Sequence, residues 1–481
     1  MKHSPLPRTL AITLFVLTLS VFSPGTLTEA AEKPNIVFIL ADDMGYGDLK
    51  AFNPESRIRT PHLDSLAKSG ICFTDAHSGG STCIPSRYSL LTGRFSARKA
   101  GFNANQPVIA EDHQTVAGML RHHGYQTAMV GKWHLGFQRK SIRDENGKPR
   151  LDFDYDHPLA GGPVDRGFDS FFGMHASLDI QPYFYIRDRA PVLPPTERVD
   201  ARSSVGGKEN WNNIQGAFWR AGDISPDFKH DEVTPRFANE ASKVIETHNG
   251  EKPLFLYLAL PSPHTPWLPA EKFAGKSKAG MYGDFVMTVD SVVGQILKSL
   301  NKAGMSDNTL VMFSSDNGPV WYDKDTERFG HRSVGPLRGI KASVWEGGHR
   351  VPFIARWPGH IQAGIKSERI IAFADIFATL AQVAGPEENP ATTAVDSVSF
   401  LPTLLHPDRR QPARPPVLHD GKVIRAGDWK LIDTKGRRGF NAERGIPYGI
   451  ELYNLKNDLS ETNNLAEQMP QKVEHLRAET R

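Results

Sequence analysis

The chain has 481 residues, of which 57 are Lys or Arg and 54 are Asp or Glu, so its formal net charge is +3. This near balance lacks the basic footprint of nucleic-acid-binding proteins. Its two cysteines, Cys72 and Cys83, are too few for a disulfide framework. The length exceeds the size at which a single hydrophobic core stops growing, so we expect a large domain and a smaller one.

The N-terminal segment has the layout of a secretory signal peptide. Lys2 and Arg8 precede an uncharged, mainly apolar run from Thr9 to Phe22, and a small-residue stretch ending near Ala30 follows. The apolar run is shorter than the roughly 20 residues that a membrane-spanning helix needs. The sequence therefore predicts a signal peptide at residues 1–30, export to the periplasm or the medium, and no membrane segment in the mature protein.

Short apolar runs rich in β-branched residues alternate with helical stretches, which predicts an α/β fold with a mainly parallel sheet. Polar side chains follow several of these runs. The runs and the residues that follow them are Asn35–Leu40 with Asp42 and Asp43, Gln126–Val130 with Lys132 and His134, Leu254–Leu260 with His264, and Thr309–Phe313 with Asp316 and Asn317. Ligands of open α/β sheets bind beyond the carboxyl ends of the strands. We therefore expect these side chains to converge on one edge of one sheet.

Four of these residues suggest a metal site. Asp42, Asp43, Asp316 and Asn317 offer only carboxylate and amide oxygens, which suit a hard cation such as Ca²⁺ or Mg²⁺ rather than Zn²⁺. A divalent ion would also relieve the repulsion between adjacent acids. Each pair alone has an ordinary explanation, as a helix cap or as an Asn-Gly turn. The convergence with two histidines at the same edge favours the metal.

Cys83 precedes a predicted helix. Pro85 fits the first turn of a helix, and Ser86–Leu91 continues it. Cys83 then lies at the helix N-terminus, where free N–H groups and the dipole favour an anion, and Arg87 can point back to the same place. Composition leaves three interpretations of Cys83: a bridge to Cys72, an inert buried thiol, or a reactive centre.

With this helix the sequence resembles the type I, formylglycine-dependent sulfatases, of the arylsulfatase-like, secreted bacterial kind. The signature is Cys83-x-Pro85-x-Arg87 followed by Leu91-Thr-Gly-Arg94. Other blocks of the family follow the same order from about Lys33 almost to the C-terminus, namely Pro34–Asp48, Thr60–Asp64, Gly131–Gly136, His264–Trp267, Ser315–Gly318, Gly339–Gly348, Gly427–Leu431 and Glu451–Leu455. The resemblance implies that a formylglycine-generating enzyme oxidises Cys83 to formylglycine (3-oxoalanine) during export.

The resemblance also implies the site residues. One Ca²⁺ ion would be held by Asp42, Asp43, Cys83, Asp316 and Asn317. The catalytic residues would be Cys83, Arg87, Lys132, His134, His264 and Lys341.

In the implied mechanism, the hydrated aldehyde attacks sulfur with one hydroxyl and expels the alcohol, and its second hydroxyl then expels sulfate. Arg87 and Lys132 would stabilise this diol, and His134 would take its proton. His264 and Lys341 would bind the sulfate oxygens and help to protonate the leaving oxygen.

The implied fold is an alkaline-phosphatase-like α/β sandwich, with a large mixed, mainly parallel central sheet flanked by helices and a small C-terminal subdomain with an antiparallel sheet and a helix. We expect a catalytic domain at residues 31–408 and the subdomain at 409–481, with the proline- and arginine-rich segment Pro402–Pro416 as connector. Arg139–Asp227 shows weak periodicity, which predicts loops over the sheet edge, where specificity normally resides.

Three functions remain open at this point. The first is a secreted sulfatase acting on a sulfated carbohydrate or an aryl sulfate. The second is a phosphate or phosphonate monoester hydrolase on the same fold, since both esters are tetrahedral anions. The third is an unmodified, non-catalytic glycan-binding protein. The single oxygen-only metal set and the extended cysteine motif favour the sulfatase, and the presence of every reactive position opposes the third function. The sequence does not identify the oligomeric state.

Overall fold

A computed structural model describes residues 1–5, 33–99, 101–143, 147–207, 210–212, 214–385, 392–419, 423–433 and 449–479. The predicted signal peptide lies almost wholly outside these described residues. Lys33–Arg481 forms one compact unit. Within the described ranges, none of the helices combines the length and the apolar character that crossing a membrane requires.

The strands are numbered in chain order. They are β1 Asn35–Ala41, β2 Ile71–Phe73, β3 Ala76–His77, β4 Gln126–Lys132, β5 Lys140–Arg143, β6 Pro149–Asp152, β7 Ser170–Met174, β8 Ile186–Arg187, β9 Ala190–Pro191, β10 Glu197–Val199, β11 Gly222–Ile224, β12 Leu254–Ala259, β13 Thr309–Ser315, β14 Phe353–Arg356, β15 Ile365–Ser367, β16 Ile371–Ala372, β17 Val417–His419, β18 Val423–Ala426, β19 Trp429–Ile432 and β20 Glu451–Asn454.

The α-helices are numbered in the same way. They are α1 Pro61–Lys68, α2 Cys83–Thr92, α3 Val116–His122, α4 Val233–Glu246, α5 Gly280–Lys302, α6 Asp323–Phe329, α7 Glu346–His349, α8 Asp375–Ala384, α9 Leu401–Leu405 and α10 Pro470–Ala478. Short 3₁₀ turns lie at Tyr46–Asp48, Ser96–Arg98, Val164–Arg166, His230–Glu232 and Glu271–Phe273.

The central sheet has the strand order β15-β2-β14-β13-β1-β12-β4-β7-β8-β9. Strands β13, β1, β12, β4 and β7 are parallel neighbours, and β14 and β8 pair antiparallel at either side of this block. Alternate residues of β1 enter two apolar layers: Phe38 packs in the layer with α2, α3 and α8, whereas Val37 packs in the layer with α1, α4 and α5. Burial on both faces explains the continuous apolar runs. The predicted mixed, mainly parallel sheet flanked by helices is confirmed.

The register brings the predicted strand ends together. Leu40 of β1 lies opposite Ala259 of β12, which in turn lies opposite Gly131 of β4. Ala41 lies opposite Ser315 of β13. Gly131 has φ 118°, and a Cβ atom on it would lie 1.9 Å from the carbonyl oxygen of Ala259. Glycine is therefore required where β4 ends, directly before its polar residues.

The C-terminal sheet has the antiparallel order β17-β18-β19-β20. One face packs on α10 through Val473 and Leu476. Another cluster joins the sheet to Val344 and Trp345 of the larger part of the unit. The predicted small antiparallel sheet with a helix is confirmed, and the boundary between residues 408 and 409 stays a prediction.

The structure corrects two predictions about segments. Arg139–Asp227 is not only loops: it contains β5 to β11, and β7 is a parallel member of the central sheet. Phe171 faces one apolar layer and Phe172 the other, so no alternation of apolar and polar residues marks the strand. The segment Pro402–Pro416 begins inside helix α9, since proline is tolerated in a first helical turn.

Candidate active site

The two acids after β1 lie in the interior of the sheet edge. Asp42 is completely buried and Asp43 almost so. Asp43 has φ 64°, a left-handed conformation that is costly for a residue other than glycine and that clusters at functional sites. Its backbone N–H donates to Oδ1 of Asp316, at 3.2 Å, which joins the ends of β1 and β13.

Asp316 and Asn317 follow β13 and are completely buried. The amide Nδ2 of Asn317 donates to Oδ1 of Asp43 at 2.7 Å. Its Oδ1 has no hydrogen-bond partner among the described residues. Burial, together with the neighbouring charge of Asp42, raises the pKa of Asp316 to about 6. This part of the site thus holds a buried oxygen without a partner and carboxylates that repel one another.

Cys83 begins helix α2, as the sequence predicts, and the helix ends before Gly93 in a left-handed cap at φ 66°. Its Sγ lies 3.4 Å from Oδ1 of Asp42. Burial, followed by the charges of Asp316 and Asp42, raises the pKa of the Cys83 thiol. Cys72 lies in β2 and both thiols are free, so the interpretation of Cys83 as half of a bridge is wrong.

Arg87 and Lys132 pair with acids of the same group. Arg87 lies one turn into α2 and donates from Nε to Oδ2 of Asp316 at 3.0 Å. Its Nη1 donates to the carbonyl oxygen of Lys132 at 2.9 Å. Nζ of Lys132 donates to Oδ2 of Asp42. Burial by itself would raise the pKa of Asp42, but Lys132, then His264 and Arg87, outweigh it and hold that pKa below its usual value.

Lys341 is the third buried cation of the site. Its Nζ donates to Oδ2 of Asp43 at 2.7 Å and lies 3.7 Å from Sγ of Cys83. The loop is fixed by the N–H of Ala342, which donates to the carbonyl oxygen of Ser81 just before helix α2. Three buried carboxylates therefore meet three buried cations, and these are Asp42, Asp43 and Asp316 with Arg87, Lys132 and Lys341.

His134 follows β4, with φ 55°. Its backbone N–H donates to the carbonyl oxygen of His175, directly after β7. The strand that the sequence analysis did not predict therefore positions this histidine. Nδ1 lies 3.4 Å from Oγ of Ser177. Burial, followed by the charges of Lys132 and Arg87, holds the pKa of His134 well below its ordinary value. The ring is therefore neutral at neutral pH.

His264 follows β12 and its loop. Nδ1 lies 2.6 Å from the carbonyl oxygen of Thr265, so this nitrogen carries the proton and donates it. Nε2 is left facing the site, 3.7 Å from Oδ2 of Asp43. All ten residues that the sequence assigns to the site are thus within one cluster at the edge of β13, β1, β12 and β4.

The donor set fits a hard cation. Ligand atoms of Asp42, Asp43, Cys83 and His264 lie within 4.8 Å of one another. The free Oδ1 of Asn317 adds a further oxygen donor. Carboxylate and amide oxygens at this density are the ligands that Ca²⁺ prefers.

Asp179 is a site residue that the sequence analysis did not identify. Its Oδ1 is buried, has no hydrogen-bond partner among the described residues and lies 4.0 Å from Nδ1 of His264. Its other oxygen pairs with Arg220. Both residues belong to Arg139–Asp227. The sequence predicted that this segment borders the site, but it did not indicate which of its residues would do so.

Sulfatases are among the known proteins that resemble this chain. The sequence profile of the sulfatase family matches residues 34–386. An N-acetylgalactosamine-6-O-sulfatase of Bacteroides thetaiotaomicron is 34% identical over 486 residues, which cover 93% of this chain and 92% of the relative. A solved structure described under the metabolism of multiple glycosaminoglycans by Bacteroides thetaiotaomicron is 30% identical with a TM-score of 0.77, and the match covers 94% of this chain and all of the other.

The phosphonate monoester hydrolase of Agrobacterium radiobacter also matches, over 92% of this chain and 95% of its own, with a TM-score of 0.59. At 19% identity this likeness shows the shared fold alone. The chemistry must therefore be argued from the site and from the closer relatives.

Proposed function

The chain belongs to the sulfatase family and is a sulfuric ester hydrolase. We propose that it releases sulfate from a sulfated saccharide by means of a formylglycine at position 83 and a calcium ion. The observation that carries the proposal is the 3.4 Å contact between Sγ of Cys83 and Oδ1 of Asp42, at a helix N-terminus surrounded by fixed cations. A sulfate ester needs its charge neutralised, a strong nucleophile and a proton for its leaving oxygen.

The surroundings of Cys83 support its conversion to formylglycine. Burial and two nearby acids raise the pKa of the unmodified thiol, so a cysteine here would stay protonated and be a poor nucleophile. Once oxidised and hydrated, residue 83 supplies a geminal diol, with one hydroxyl for attack and one for release. A formylglycine-generating enzyme acting before or during export is the partner that this conversion requires.

We assign the calcium ligands to Asp42, Asp43, Asp316, Asn317 and residue 83. The ion, when bound, supplies charge that neutralises the sulfate oxygens and favours the ionised nucleophile. The three acids and three cations of the site balance, so a divalent ion leaves the site with a net positive charge. An anionic sulfate ester is attracted by that charge.

Fixed cations hold the sulfate group and its nucleophile. Arg87 is locked by Asp316 and by the carbonyl oxygen of Lys132, so its guanidinium cannot turn away during the reaction. Lys132 lies beside Asp42 and stabilises the ionised form of residue 83. Lys341 contacts both Asp43 and Sγ of Cys83, so its ammonium group can bind an oxygen of the sulfate that residue 83 attacks.

The two histidines divide the proton transfers. His264 donates its Nδ1–H to the carbonyl oxygen of Thr265, so the ring has to take up a second proton at Nε2, and this Nε2–H is the one that can be donated to the leaving oxygen. His134 is held neutral by burial, Lys132 and Arg87, so it can accept the proton released when sulfate leaves.

The substrate class follows from the relatives and from Asp179. The Bacteroides relative carries the name N-acetylgalactosamine-6-O-sulfatase, so a 6-sulfated N-acetylgalactosamine is the first substrate to test. Oδ1 of Asp179 lies 4.0 Å from Nδ1 of His264 and has no hydrogen-bond partner within the described part of the chain, so it is suited to accept a hydrogen bond from a sugar hydroxyl. An aryl sulfate offers no such hydroxyl.

The mature enzyme would begin after the signal peptide at residues 1–30 and act outside the cytoplasm. The catalytic part at residues 31–408 carries every proposed site residue. The subdomain at 409–481 would support it through the contacts of Val344 and Trp345 with the C-terminal sheet.

The decisive experiment measures sulfate and phosphate release from a panel of defined substrates. The panel holds N-acetylgalactosamine 6-sulfate, its 4-sulfate isomer, an aryl sulfate, an aryl phosphate and an aryl phosphonate. The protein is produced with a formylglycine-generating enzyme, and mass spectrometry of the peptide containing position 83 reports the converted fraction. We expect N-acetylgalactosamine 6-sulfate to give the largest kcat/KM. We also expect turnover to scale with the fraction of chains in which Cys83 is converted. A preference for the phosphonate, or full activity of the unconverted thiol form, would contradict the proposal.

A further inference from the structure

Three histidines meet in a second buried cluster, away from the proposed active site. His77 lies on β3, His349 ends α7, and His419 ends β17 of the C-terminal sheet. None of them is more than 1% exposed. Each offers a ring nitrogen within 4.8 Å of the others. We call these three residues the junction cluster, because they join the C-terminal sheet to the segment that precedes Cys83.

The spacing of the first two rings suits a shared metal ion. Nδ1 of His77 lies 3.2 Å from Nδ1 of His349. Two nitrogens bound to Zn²⁺ at about 2.0–2.1 Å with a tetrahedral angle lie about 3.3 Å apart. The two rings therefore present their nitrogens to one another at the separation that a common ion requires.

The outer nitrogens of the same rings have the partners that metal-binding histidines use. Nε2 of His77 lies 2.7 Å from Oδ1 of Asp75, and Nε2 of His349 lies 3.3 Å from the carbonyl oxygen of Val344. A histidine that binds a metal through one nitrogen typically donates the other N–H to a carboxylate or a carbonyl oxygen. This arrangement leaves both Nδ1 atoms as ligands.

A hydrogen-bond relay without an ion accounts for only part of the cluster. Asp75 can accept from His77, His77 from His349, and His349 from Nζ of Lys430, which lies 3.3 Å from its Nε2. His419 has no place in this relay. Both of its ring nitrogens are buried and without a hydrogen-bond partner among the described residues. Burying an unpaired imidazole is costly, and a bond to a metal ion satisfies one of its two nitrogens.

Lys430 does not prevent the binding of a metal. If Nδ1 of His349 binds an ion, the ring proton moves to Nε2, and Val344 becomes its acceptor. Lys430 then keeps its ion pairs with Glu346, at 3.0 Å, and Glu461, at 2.8 Å.

We propose that the junction cluster binds one transition-metal cation, with Zn²⁺ as the first candidate, through His77, His349 and His419. Imidazole ligands suit Zn²⁺, Cu²⁺ and Ni²⁺, whereas Ca²⁺ requires oxygens. The carboxylates of Asp75 and Glu346 lie beside His77, and they also pair with Arg350, Arg425 and Lys430. The site ties the C-terminal sheet to β3 and α7, and it is independent of the proposed sulfatase chemistry.

The test uses the full-length, calcium-loaded protein. Transition metals are removed with a chelator, Ca²⁺ is restored, and the protein is loaded with Zn²⁺ or Co²⁺ and passed through a desalting column. Elemental analysis then gives the metal content, and absorption spectroscopy of the Co²⁺ form reports its ligands. We expect about one Zn²⁺ per chain, and Co²⁺ bands of a low-coordinate nitrogen site without thiolate charge transfer.

Variants separate this site from the oxygen-rich one. Cys83→Ala is expected to keep the metal and its spectrum, as is the control His157→Ala, which removes a histidine whose side chain is 75% exposed. His419→Ala and His77→Ala are expected to lose the metal. Substoichiometric Zn²⁺ in the wild-type protein, a thiolate band, or unchanged uptake by both junction variants would overturn the proposal. Because the wild-type spectrum itself reports nitrogen ligands, the test does not depend on the variants folding.

Discussion

The sheet-edge site and the junction cluster are both buried, polar and assembled from distant parts of the chain, but they are built from opposite ligand chemistries. At the sheet edge, oxygens of Asp42, Asp43 and Asp316 face three cations and a cysteine. In the junction cluster, imidazole nitrogens face one another and acids lie outside them. The first set suits a hard cation and an anionic substrate, and the second suits a borderline metal and no substrate.

The two regions also differ in how their backbone is held. At the sheet edge, Asp43, His134 and Ala342 all adopt positive φ angles. Backbone strain of this kind is tolerated where a ligand will use it. The residues of the junction cluster lie on a strand end, a short helix and another strand end, with no positive φ among them. We therefore expect substitutions at the sheet edge to act on turnover and those at the junction to act on stability.

Replacing the nucleophile should give the largest effect on turnover. Cys83→Ala removes the residue from which we propose that the formylglycine forms, and we expect sulfate release to fall by at least about 10⁴-fold, as when a covalent nucleophile is deleted in other enzymes. The alanine fills the same helix start, so the melting temperature should stay close to that of the wild type. The measurement pairs steady-state sulfate release with thermal unfolding. Substantial residual turnover in this variant would refute the mechanism.

Removing the proposed calcium ion should be nearly as severe for turnover and should also lower stability. A ligand present at about 100 times its Kd stabilises the folded state by about 2.7 kcal/mol, which is lost when a chelator takes it away. We expect Ca²⁺ to restore both sulfate release and the melting temperature. Zn²⁺ should refill the junction cluster without restoring turnover. Recovery of turnover with Zn²⁺ alone would erase the distinction between the two sites.

His264→Ala should give an intermediate loss that depends on the leaving group. If Nε2 protonates the leaving oxygen, a sugar alcohol needs that proton more than a phenol does. We expect kcat/KM to fall by about 10²–10⁴-fold for a saccharide sulfate and by much less for an activated aryl sulfate. Equal losses for both substrates would show that His264 binds sulfate without donating a proton.

The sequence predicted that seven residues of the sheet-edge site would lie close together because they follow strands of a parallel sheet, whereas Cys83, Arg87 and Lys341 were assigned only through the family resemblance. The runs around Val37, Met129, Leu256 and Met312 were readable as buried strands, and parallel strands bring their carboxyl ends to one edge. The order of the strands and the left-handed backbone of Asp43 depend on tertiary packing, and nothing in the local sequence encodes them.

The junction cluster and β7 could not be predicted from the sequence, because they too depend on tertiary packing. His77 lies on a strand of two residues and His349 on a helix of four, so neither segment is long enough to show a periodicity. Strand β7 contains Phe171 and Phe172 on opposite faces, and burial on both faces hides its period. In each case the decisive contact is with a segment far away in the chain.

Lys430→Met should have the smallest effect on turnover and a large effect on stability. Lys430 is completely buried between Glu346, at 3.0 Å, and Glu461, at 2.8 Å. Removing one partner of a buried ion pair leaves charge without compensation, which costs about 3–5 kcal/mol of the free energy of unfolding. The control is Lys302→Met, which removes a lysine whose side chain is 69% exposed and should change the melting temperature little. Turnover per folded molecule should stay near the wild-type value in both variants, because neither lysine touches the sheet-edge site. If Lys430→Met instead lowers kcat while the melting temperature is unchanged, the junction transmits its state to the active site, and the division between the two regions has to be abandoned.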